Sequence, residues 1–369
     1  MRELYLTDHK IGLGWRKIGK QVRKNKRFLW LMVVIILACF VKSRLDNGPG
    51  SRDIAVKLLC APLIFSCFPI IPKGKLFWRK ATRVLFGFYI IECGLAIFER
   101  VTLINIFPWI EGDDSSFNMD TGIAGFRSFA LLGHPLMNAL PVCTMMAFIL
   151  CSQSLSWKKK MSLWVLGYIT LLCFNTRGSI VGAALILGLY VLKEYFTDKK
   201  LSFAKKNLAL IGLIAGTSAL VFIAIHFQLG GRLLEMGLFD QESAQVRVNT
   251  WDIFNYFDMG AFLWGMDQNT RTMVIYQSGL WTTENFWIDY MLIIGLVPLA
   301  IILVFYIISI KDLYKGYKKF DVLITVASFI LIASTNNSLS ATWIPLFLYL
   351  MMISCFSFKE GISDNLEKH

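Results

Sequence analysis

Apolar runs recur along the whole length of the chain, and short polar or charged stretches separate them. A helix needs about 20 residues to cross the hydrocarbon core of a bilayer, so the runs predict about ten spans. With their flanks, these spans cover residues 28–41, 54–71, 84–98, 135–151, 161–174, 178–192, 207–227, 286–310, 322–335 and 343–356. No stretch of any length alternates with the period of a strand. The predicted fold is therefore all-α, a polytopic membrane bundle of about ten transmembrane helices.

The connections between the predicted spans differ greatly in length. Residues 99–134 and residues 228–283 form two long external segments, and the second lies between the seventh and eighth spans. Loops of this length in a compact protein are usually functional, so we expect any chemistry on the external side. Within the second segment, residues 245–256 have the apolar spacing of a short amphipathic helix lying on the bundle.

The distribution of basic residues predicts the orientation of the chain. The sequence is 56% hydrophobic, with a mean hydropathy of +0.56 and a formal net charge of +13. If the N-terminus is cytoplasmic, the cytoplasmic segments hold 28 of the 38 Lys and Arg residues, in agreement with the positive-inside rule. Both termini, residues 1–27 and 357–369, are then cytoplasmic, and residues 1–369 form a single integral membrane domain. Because topology explains the basic excess, we expect no nucleic-acid partner.

Every external basic residue after residue 98 is an arginine, whereas the cytoplasmic connections over the same stretch carry mostly lysine. The external set is Arg100, Arg127, Arg177, Arg232, Arg247 and Arg271. A guanidinium stays charged when it is desolvated and can bind phosphate through two parallel hydrogen bonds. Arg177 lies between two apolar runs, which places its charge at the membrane face with almost no loop around it. There it either contacts a ligand or reaches lipid phosphates from the interface.

Polar residues within or at the start of spans form a second set of candidates. Glu92 lies in the third span, where it either neutralises a neighbouring charge or has a functional role. Glu284 opens the helix after the large loop, where a carboxylate interacts well with a helix N-terminus. Asp289 lies one turn deeper than Asn285, on the same helix face. His134 begins the fourth span before a proline, either as a structural cap or as a functional group.

The sequence offers no cofactor site. No His, Cys or paired acidic residues stand at the spacing of metal ligands, and neither a P-loop nor a glycine-rich dinucleotide turn is present. The eight cysteines lie in or beside apolar runs and are typical of small core residues. We therefore expect no metal and no other cofactor.

Four stretches of the chain, in order, resemble motifs of the O-antigen polymerase and O-antigen ligase superfamily, which are membrane glycosyltransferases of bacterial surface polysaccharide. They are Phe129–Leu140, which contains His134 and Asn138; the Thr-Arg-Gly turn within Asn175–Ser179; Arg247 before Trp251 in the large loop; and Glu284-Asn285, followed after nine residues by Gly295-Leu-Val-Pro298. Together the motifs extend over residues 125–310. In the ligases a histidine stands where this chain has Glu284, and a glycine where it has Pro298. These differences favour the polymerase branch.

The resemblance implies a GT-C-like membrane glycosyltransferase that polymerises lipid-diphosphate-linked oligosaccharide repeat units for O-antigen, capsule or exopolysaccharide. The transfer would be inverting and metal-independent, at the outer face of the bacterial inner membrane. Arg177 and Arg247 would stabilise the charge that develops on the polyprenyl diphosphate leaving group, and Glu284 would be the general base. The expected substrate-binding residues are Arg232, His134, Asn138, Asn285, Trp251 and Asp289.

The implied partners are a polyprenyl-diphosphate-linked donor and a similar acceptor in the membrane, and a chain-length regulator is a further candidate. Two other functions stay open. One is a ligase-type transfer of the same glycan to another acceptor. The other is a non-enzymatic transporter or flippase for a lipid-linked glycan, although such transporters usually contain paired halves and this sequence shows no internal repeat.

Overall fold

The computed structural model describes residues 26–45, 75–107, 125–152, 155–197, 222, 226, 250–256, 258–280, 283, 285–314, 319–335, 337–342 and 344–356. Regular secondary structure in these ranges is helical, which confirms the all-α prediction for this part of the chain. The helices are α1 (Lys26–Leu45), α2 (Lys75–Thr102), α3 (Pro135–Cys151), α4 (Trp157–Phe174), α5 (Arg177–Thr197), α6 (Met259–Trp264), α7 (Gln268–Gln277), α8 (Phe286–Ile294), α9 (Leu296–Tyr314), α10 (Lys319–Ala333), α11 (Ser338–Ala341) and α12 (Ile344–Phe356).

The chain divides into two compact units. The first unit consists of Met1–Val84, Val246–Tyr317 and Leu339–His369, and the second unit consists of Leu85–Gln245 and Lys318–Ser338. Each unit therefore contains segments that are far apart in the sequence. The single membrane domain predicted from the sequence stays a prediction.

Two helices in the described ranges are long and apolar enough to cross a membrane, namely Lys80–Thr102 within α2 and Arg177–Phe196 within α5. The pair α8 and α9 adds a third if the two helices form one broken span. These helices indicate a helical membrane protein. The predicted count of about ten spans is not reproduced within the described ranges, where α3, α10 and α12 are apolar but shorter. The predicted span 54–71, and 207–227 apart from two residues, lie outside the described ranges.

The eighth predicted span, residues 286–310, is not one helix. Helix α8 ends at Ile294, α9 begins at Leu296, and the chain bends by 118° between them. Gly295 lies at the bend with a φ of +80°, a conformation that residues with a side chain rarely adopt. The sequence predicted a continuous helix because the residues on both sides of Gly295 are uniformly apolar.

Part of the predicted external loop 228–283 is folded. A 3-10 turn at Ile253–Tyr256 leads into α6 and α7. A small hydrophobic core joins these elements to α8 and consists of Ile253, Met266, Val274, Leu280, Ile288 and Leu292. Of the amphipathic helix predicted at 245–256, residues 245–249 lie outside the described ranges. The remainder includes the 3-10 turn, where Ile253 is buried whereas Trp251 and Tyr256 are exposed.

Helix α3 lies at the centre of the second unit. All of its residues except Leu136 and Met137 are buried, and it packs against α4, α5 and α10. Small residues allow the close approach, since a Cβ added at Gly167 of α4 would lie within 3.0 Å of Met146 in α3. At the other end of α5, Lys193 forms an ion pair with Asp321 of α10 at 2.9 Å.

Candidate functional site

Of the three residues predicted to carry the catalytic chemistry, the structure describes only Arg177. Arg247 and Glu284 lie outside the described ranges, as does Arg232. The predicted convergence of Arg177, Arg247 and Glu284 on one cavity therefore stays a prediction. The parts of the candidate site that are described lie within the second unit, around Arg177 and His134, and within the first unit, around Asn285.

Arg177 is the first residue of α5 and is half-buried. Helix α4 ends at Phe174, and Asn175 follows in a left-handed conformation with a φ of +55°. The Asn175 N–H donates to the Leu172 carbonyl at 3.1 Å, which closes the last turn of α4. Only Asn175 and Thr176 separate the two helices. The sequence prediction that Arg177 has almost no loop around it is thus confirmed.

Thr176 precedes α5 and is almost fully buried. Its carbonyl accepts the N–H groups of Ser179 at 3.1 Å and Ile180 at 3.0 Å, whereas its hydroxyl has no hydrogen-bond partner among the described residues. A helix N-terminus favours anions because its first N–H groups point outwards and the helix dipole is positive there. Arg177, the start of α5 and the Thr176 hydroxyl together form a set of donors suited to a phosphate oxygen.

A second group of polar residues surrounds the connection at residues 125–134, which leads into α3. Four consecutive backbone N–H groups in it donate to side chains. Glu99 of α2 accepts two of them with Oε2, from Phe129 at 2.6 Å and Ala130 at 2.9 Å. Its Oε1 accepts the N–H of Ile106 at 2.9 Å. Glu99 is fully buried, so these donors take the place of water around its charge.

The two remaining N–H groups of this series bond to Glu92 and Asn138. The Leu131 N–H donates to Glu92 Oε2 at 3.3 Å, and the Leu132 N–H donates to Asn138 Oδ1 at 2.9 Å. Asn138 Nδ2 in turn donates to the Phe129 carbonyl. Asn138 is fully buried, and both of its side-chain polar atoms are bonded to backbone. It holds the connection in place, and substrate binding by Asn138 stays a prediction.

His134 caps the N-terminus of α3, since its Nδ1 accepts the Leu136 N–H at 3.2 Å. Burial, together with the charge of Arg127, lowers the pKa of His134 from 6.5 to about 4. The imidazole is therefore neutral at neutral pH, and because Nδ1 is the acceptor, the proton resides on Nε2. The structural cap that the sequence proposed for His134 is present, and its role in substrate binding is not tested.

In the first unit, Asn285 caps α8 through a bond from the Trp287 N–H to Asn285 Oδ1 at 2.9 Å. Asp289 lies in the first turn of α8, and its N–H donates to the Asn285 carbonyl at 3.0 Å. Trp251 is 63% exposed, with its ring 5.8 Å from that of Phe254. The indole face of Trp251 is available for stacking, and the three residues stay candidates for substrate binding.

Sequence reasoning missed Glu99 and Thr176. Glu99 ends the third apolar run next to Arg100, and its partners are backbone groups, which carry no signature in the sequence. Thr176 lies inside the Thr-Arg-Gly turn, but a threonine before a helix is common as a cap. Within the described ranges, no group of three or more His, Cys, Asp or Glu side chains lies close enough to hold a metal ion.

No protein-family model matches the chain, and a search of curated proteins finds no match either. The function must therefore be argued from the residues themselves.

Proposed function

We propose that the protein is a membrane glycosyltransferase that polymerises lipid-diphosphate-linked oligosaccharide repeat units. The observation that supports this most strongly is the start of α5. Arg177, half-buried, and the Thr176 hydroxyl, which has no hydrogen-bond partner among the described residues, stand together at the N-terminus of a helix long enough to cross a membrane. Such a set of fixed donors at a membrane face suits a diphosphate whose lipid chain lies in the bilayer.

In the proposed reaction, a hydroxyl oxygen of the acceptor sugar attacks the anomeric carbon of the donor. The bond from that carbon to the diphosphate oxygen breaks, and the polyprenyl diphosphate leaves with the electron pair. Arg177 and Arg247, with Arg232 as a third candidate, stabilise the negative charge on the leaving group. Glu284 takes the proton from the attacking hydroxyl. The configuration at the anomeric carbon is inverted, and no metal ion takes part.

The proposal includes the topology and the location. About ten spans in the bacterial inner membrane, with both termini in the cytoplasm, would place the N-terminus of α5 on the external side. Lipid-linked repeat units would be both donor and acceptor there, and a chain-length regulator would be a further partner. The product would be O-antigen, capsule or exopolysaccharide, and ligase-type transfer to another acceptor is the nearest alternative.

One observation favours a second candidate function. The bend at Gly295 divides an apolar segment into two helices, and broken helices of this kind are typical of transporters. Backbone groups freed by a break in a membrane are tolerated only where protein or a cavity surrounds them. The same geometry is compatible with a glycosyltransferase, but it also suits a non-enzymatic transporter or flippase for the lipid-linked glycan.

A reconstitution assay separates the two functions. The purified protein is placed in vesicles whose lipid-linked repeat unit is fluorescently labelled, and the products are resolved by gel electrophoresis. We expect a ladder of polymers that differ by one repeat unit, because each transfer joins one unit to the chain. Movement of the label across the bilayer without any change in its length would contradict the polymerase and support the transporter. Transfer of a single unit to an added acceptor would support the ligase.

A further inference from the structure

Glu92 lies near the middle of the membrane-spanning part of α2. It is 12 residues from Lys80 and 10 residues from Thr102, the two ends of that part. At 1.5 Å per residue, each end is about 15–18 Å away along the helix axis. The side chain is fully buried, so neither water nor lipid headgroups reach it. A carboxyl group in such a place is costly and is a functional candidate.

The two carboxyl oxygens of Glu92 have different surroundings. Oε2 accepts the Leu131 N–H at 3.3 Å, whereas Oε1 has no hydrogen-bond partner among the described residues. An ionised carboxylate needs several donors or a counter-ion when it is removed from water. A neutral carboxyl with one unpaired hydroxyl costs far less, because only a dipole is left unsatisfied.

The charged and titratable groups around Glu92 do not favour a negative charge there. Glu99 lies seven residues further along α2, on the same face, and its carboxylate has three N–H donors. Cys93 follows Glu92 in α2, Arg100 follows Glu99, and the 125–134 connection contains Arg127 and His134. No ion pair to Glu92 is present among the described residues. Arg100 Nη1 donates to the Phe126 carbonyl, and Arg127 Nε donates to the Phe174 carbonyl.

His134 is uncharged at neutral pH, as described above, and the Cys173 thiol of α4 is buried with Cys93. Glu92 thus has no paired cation among the described residues, whereas a negative charge on Glu92 would be repelled by a negative charge on Glu99. The hydrogen bonds distinguish the two acids, because Glu99 accepts three N–H groups of described residues and Glu92 accepts one.

We propose that Glu92 is a proton-binding site in the membrane-spanning helix, and that the 125–134 connection docks on α2 with this proton bound. The ligand is a single proton on Oε1. When the proton leaves, the carboxylate has only the Leu131 N–H as a donor, so the connection must shift or admit water to solvate the charge. This site is independent of the proposed glycan chemistry at Arg177.

Glu99 provides the matched control, since it is the same residue type on the same helix face. Replacing Glu92 with Gln keeps an oxygen for the Leu131 N–H and keeps the group uncharged. Replacing Glu99 with Gln puts an NH₂ group in the place of an oxygen that accepts backbone N–H groups. The NH₂ group is itself a donor, so the hydrogen bonds to that oxygen are lost. The two variants should differ clearly in thermal stability although they make the same chemical change.

The test is infrared spectroscopy of the protein in lipid nanodiscs at neutral pH, where a protonated carboxyl gives a carbonyl band that shifts in heavy water. We expect the band in the unmodified protein and in Glu99→Gln, and its loss in Glu92→Gln. The melting temperature of Glu92→Gln should stay close to that of the unmodified protein, whereas that of Glu99→Gln should fall.

Three results would overturn the proposal. They are the absence of the band from the unmodified protein, its persistence in Glu92→Gln, and its loss in Glu99→Gln alone. The first needs no variant, so it decides the matter even if one of the variants does not fold.

Discussion

Gly265 follows the last residue of α6 and Gly295 follows the last residue of α8, and the ends of these two helices meet at the two glycines. Each has a φ of +80°, and a Cβ added to either would lie within 3.0 Å of backbone atoms next to the other. At Gly295 those atoms belong to Leu263 and Trp264, and at Gly265 they belong to Ile293 and Ile294. The Met266 N–H donates to the Leu292 carbonyl at 2.7 Å beside them. The bend between α8 and α9 is thus formed against the end of α6.

We predict that Gly295→Ala and Gly265→Ala each lower the free energy of unfolding by about 1–3 kcal/mol or more. Backbone strain alone accounts for this amount, because both residues adopt a conformation that is essentially restricted to glycine. The added methyl group also meets backbone atoms, which cannot rotate away. Thermal unfolding in detergent, followed by tryptophan fluorescence, measures the effect.

Gly94→Ala is the control, because nothing lies within 4 Å of a Cβ at that position of α2. Alanine is the better helix former by roughly 1 kcal/mol, so this variant should be as stable as the unmodified protein or more so. Equal stability of the Gly94 and Gly295 variants would mean that the close contact at the bend is absent.

Replacing Arg177 with Lys tests how the positive charge at the start of α5 acts. Lysine keeps the charge but loses the planar pair of donors, so a residue that only reaches lipid phosphates should tolerate the change. If Arg177 binds the diphosphate with two N–H groups, we expect polymer formation to fall roughly a hundredfold or more. The assay is the ladder of polymers described above, with protein abundance measured alongside.

Arg271→Lys is the matched control for that experiment. Arg271 lies on α7, where its Nη2 donates to Gln268 Oε1 at 3.0 Å, and it has no assigned role in the reaction. Polymer formation should be unchanged in this variant. Near-normal activity of Arg177→Lys would instead indicate that Arg177 only reaches lipid phosphates at the interface. Arg247 would then be the better candidate for binding the diphosphate.

Thr176→Val separates stability from activity at the same turn. Valine has nearly the shape of threonine, and the hydroxyl has no partner among the described residues, so the free energy of unfolding should change by less than about 1 kcal/mol. Activity should fall about tenfold or more if the hydroxyl donates to the diphosphate, because a hydrogen bond to a charged group is lost.

Thr144→Val in α3 gives the opposite pattern. The Thr144 hydroxyl donates to the Leu140 carbonyl at 2.8 Å and is fully buried, so its removal should cost about 1 kcal/mol of stability. It lies within the helix, so the rate per folded molecule should be unaffected. Full activity of Thr176→Val would exclude its hydroxyl from the site.

The stability of the protein should decrease as the pH falls from about 6.5 to about 4. The pKa of His134 is lowered from 6.5 to about 4 in the folded protein, so the unfolded chain takes up this proton first. The contribution of neutral His134 is fully present above pH 6.5 and is lost progressively as the pH approaches 4. Melting temperatures measured across this range test the dependence.

His134→Asn is the variant that isolates this effect. Asparagine also accepts the N–H of a helix start with its side-chain oxygen, but it does not titrate. The variant should lose less stability than the unmodified protein between pH 7 and pH 5. An identical loss in both proteins would assign the acid sensitivity to other groups.

Sequence patterns predicted some helices closely and others poorly, for identifiable reasons. The spans at 161–174 and 178–192 correspond to α4 and α5 within a few residues, because charged residues and the Asn175 turn mark their ends. The break at Gly295 was missed because it depends on a contact with α6, which lies about 30 residues earlier and leaves hydropathy unchanged.

The candidate site was predicted unevenly for a similar reason. Side chains that act on a ligand have characteristic types, so Arg177 and His134 could be selected from the sequence. Glu99 acts on backbone N–H groups of residues 106, 129 and 130, and any amino acid except proline supplies such a group. The sequence therefore contained the carboxylate but gave no sign of its partners.

This use of backbone groups has an evolutionary consequence. Glu99, Glu92 and Asn138 hold residues 129–132 by main-chain atoms only, so these bonds place no demand on the side chains of the connection. In relatives of this chain, these bonds require only that proline is avoided at the four positions, whereas burial of Phe129 and Ala130 and the φ of +44° at Ala130 restrict those two further. Selection on these bonds would act on the three accepting side chains, which should persist while the half-buried Leu131 and Leu132 diverge.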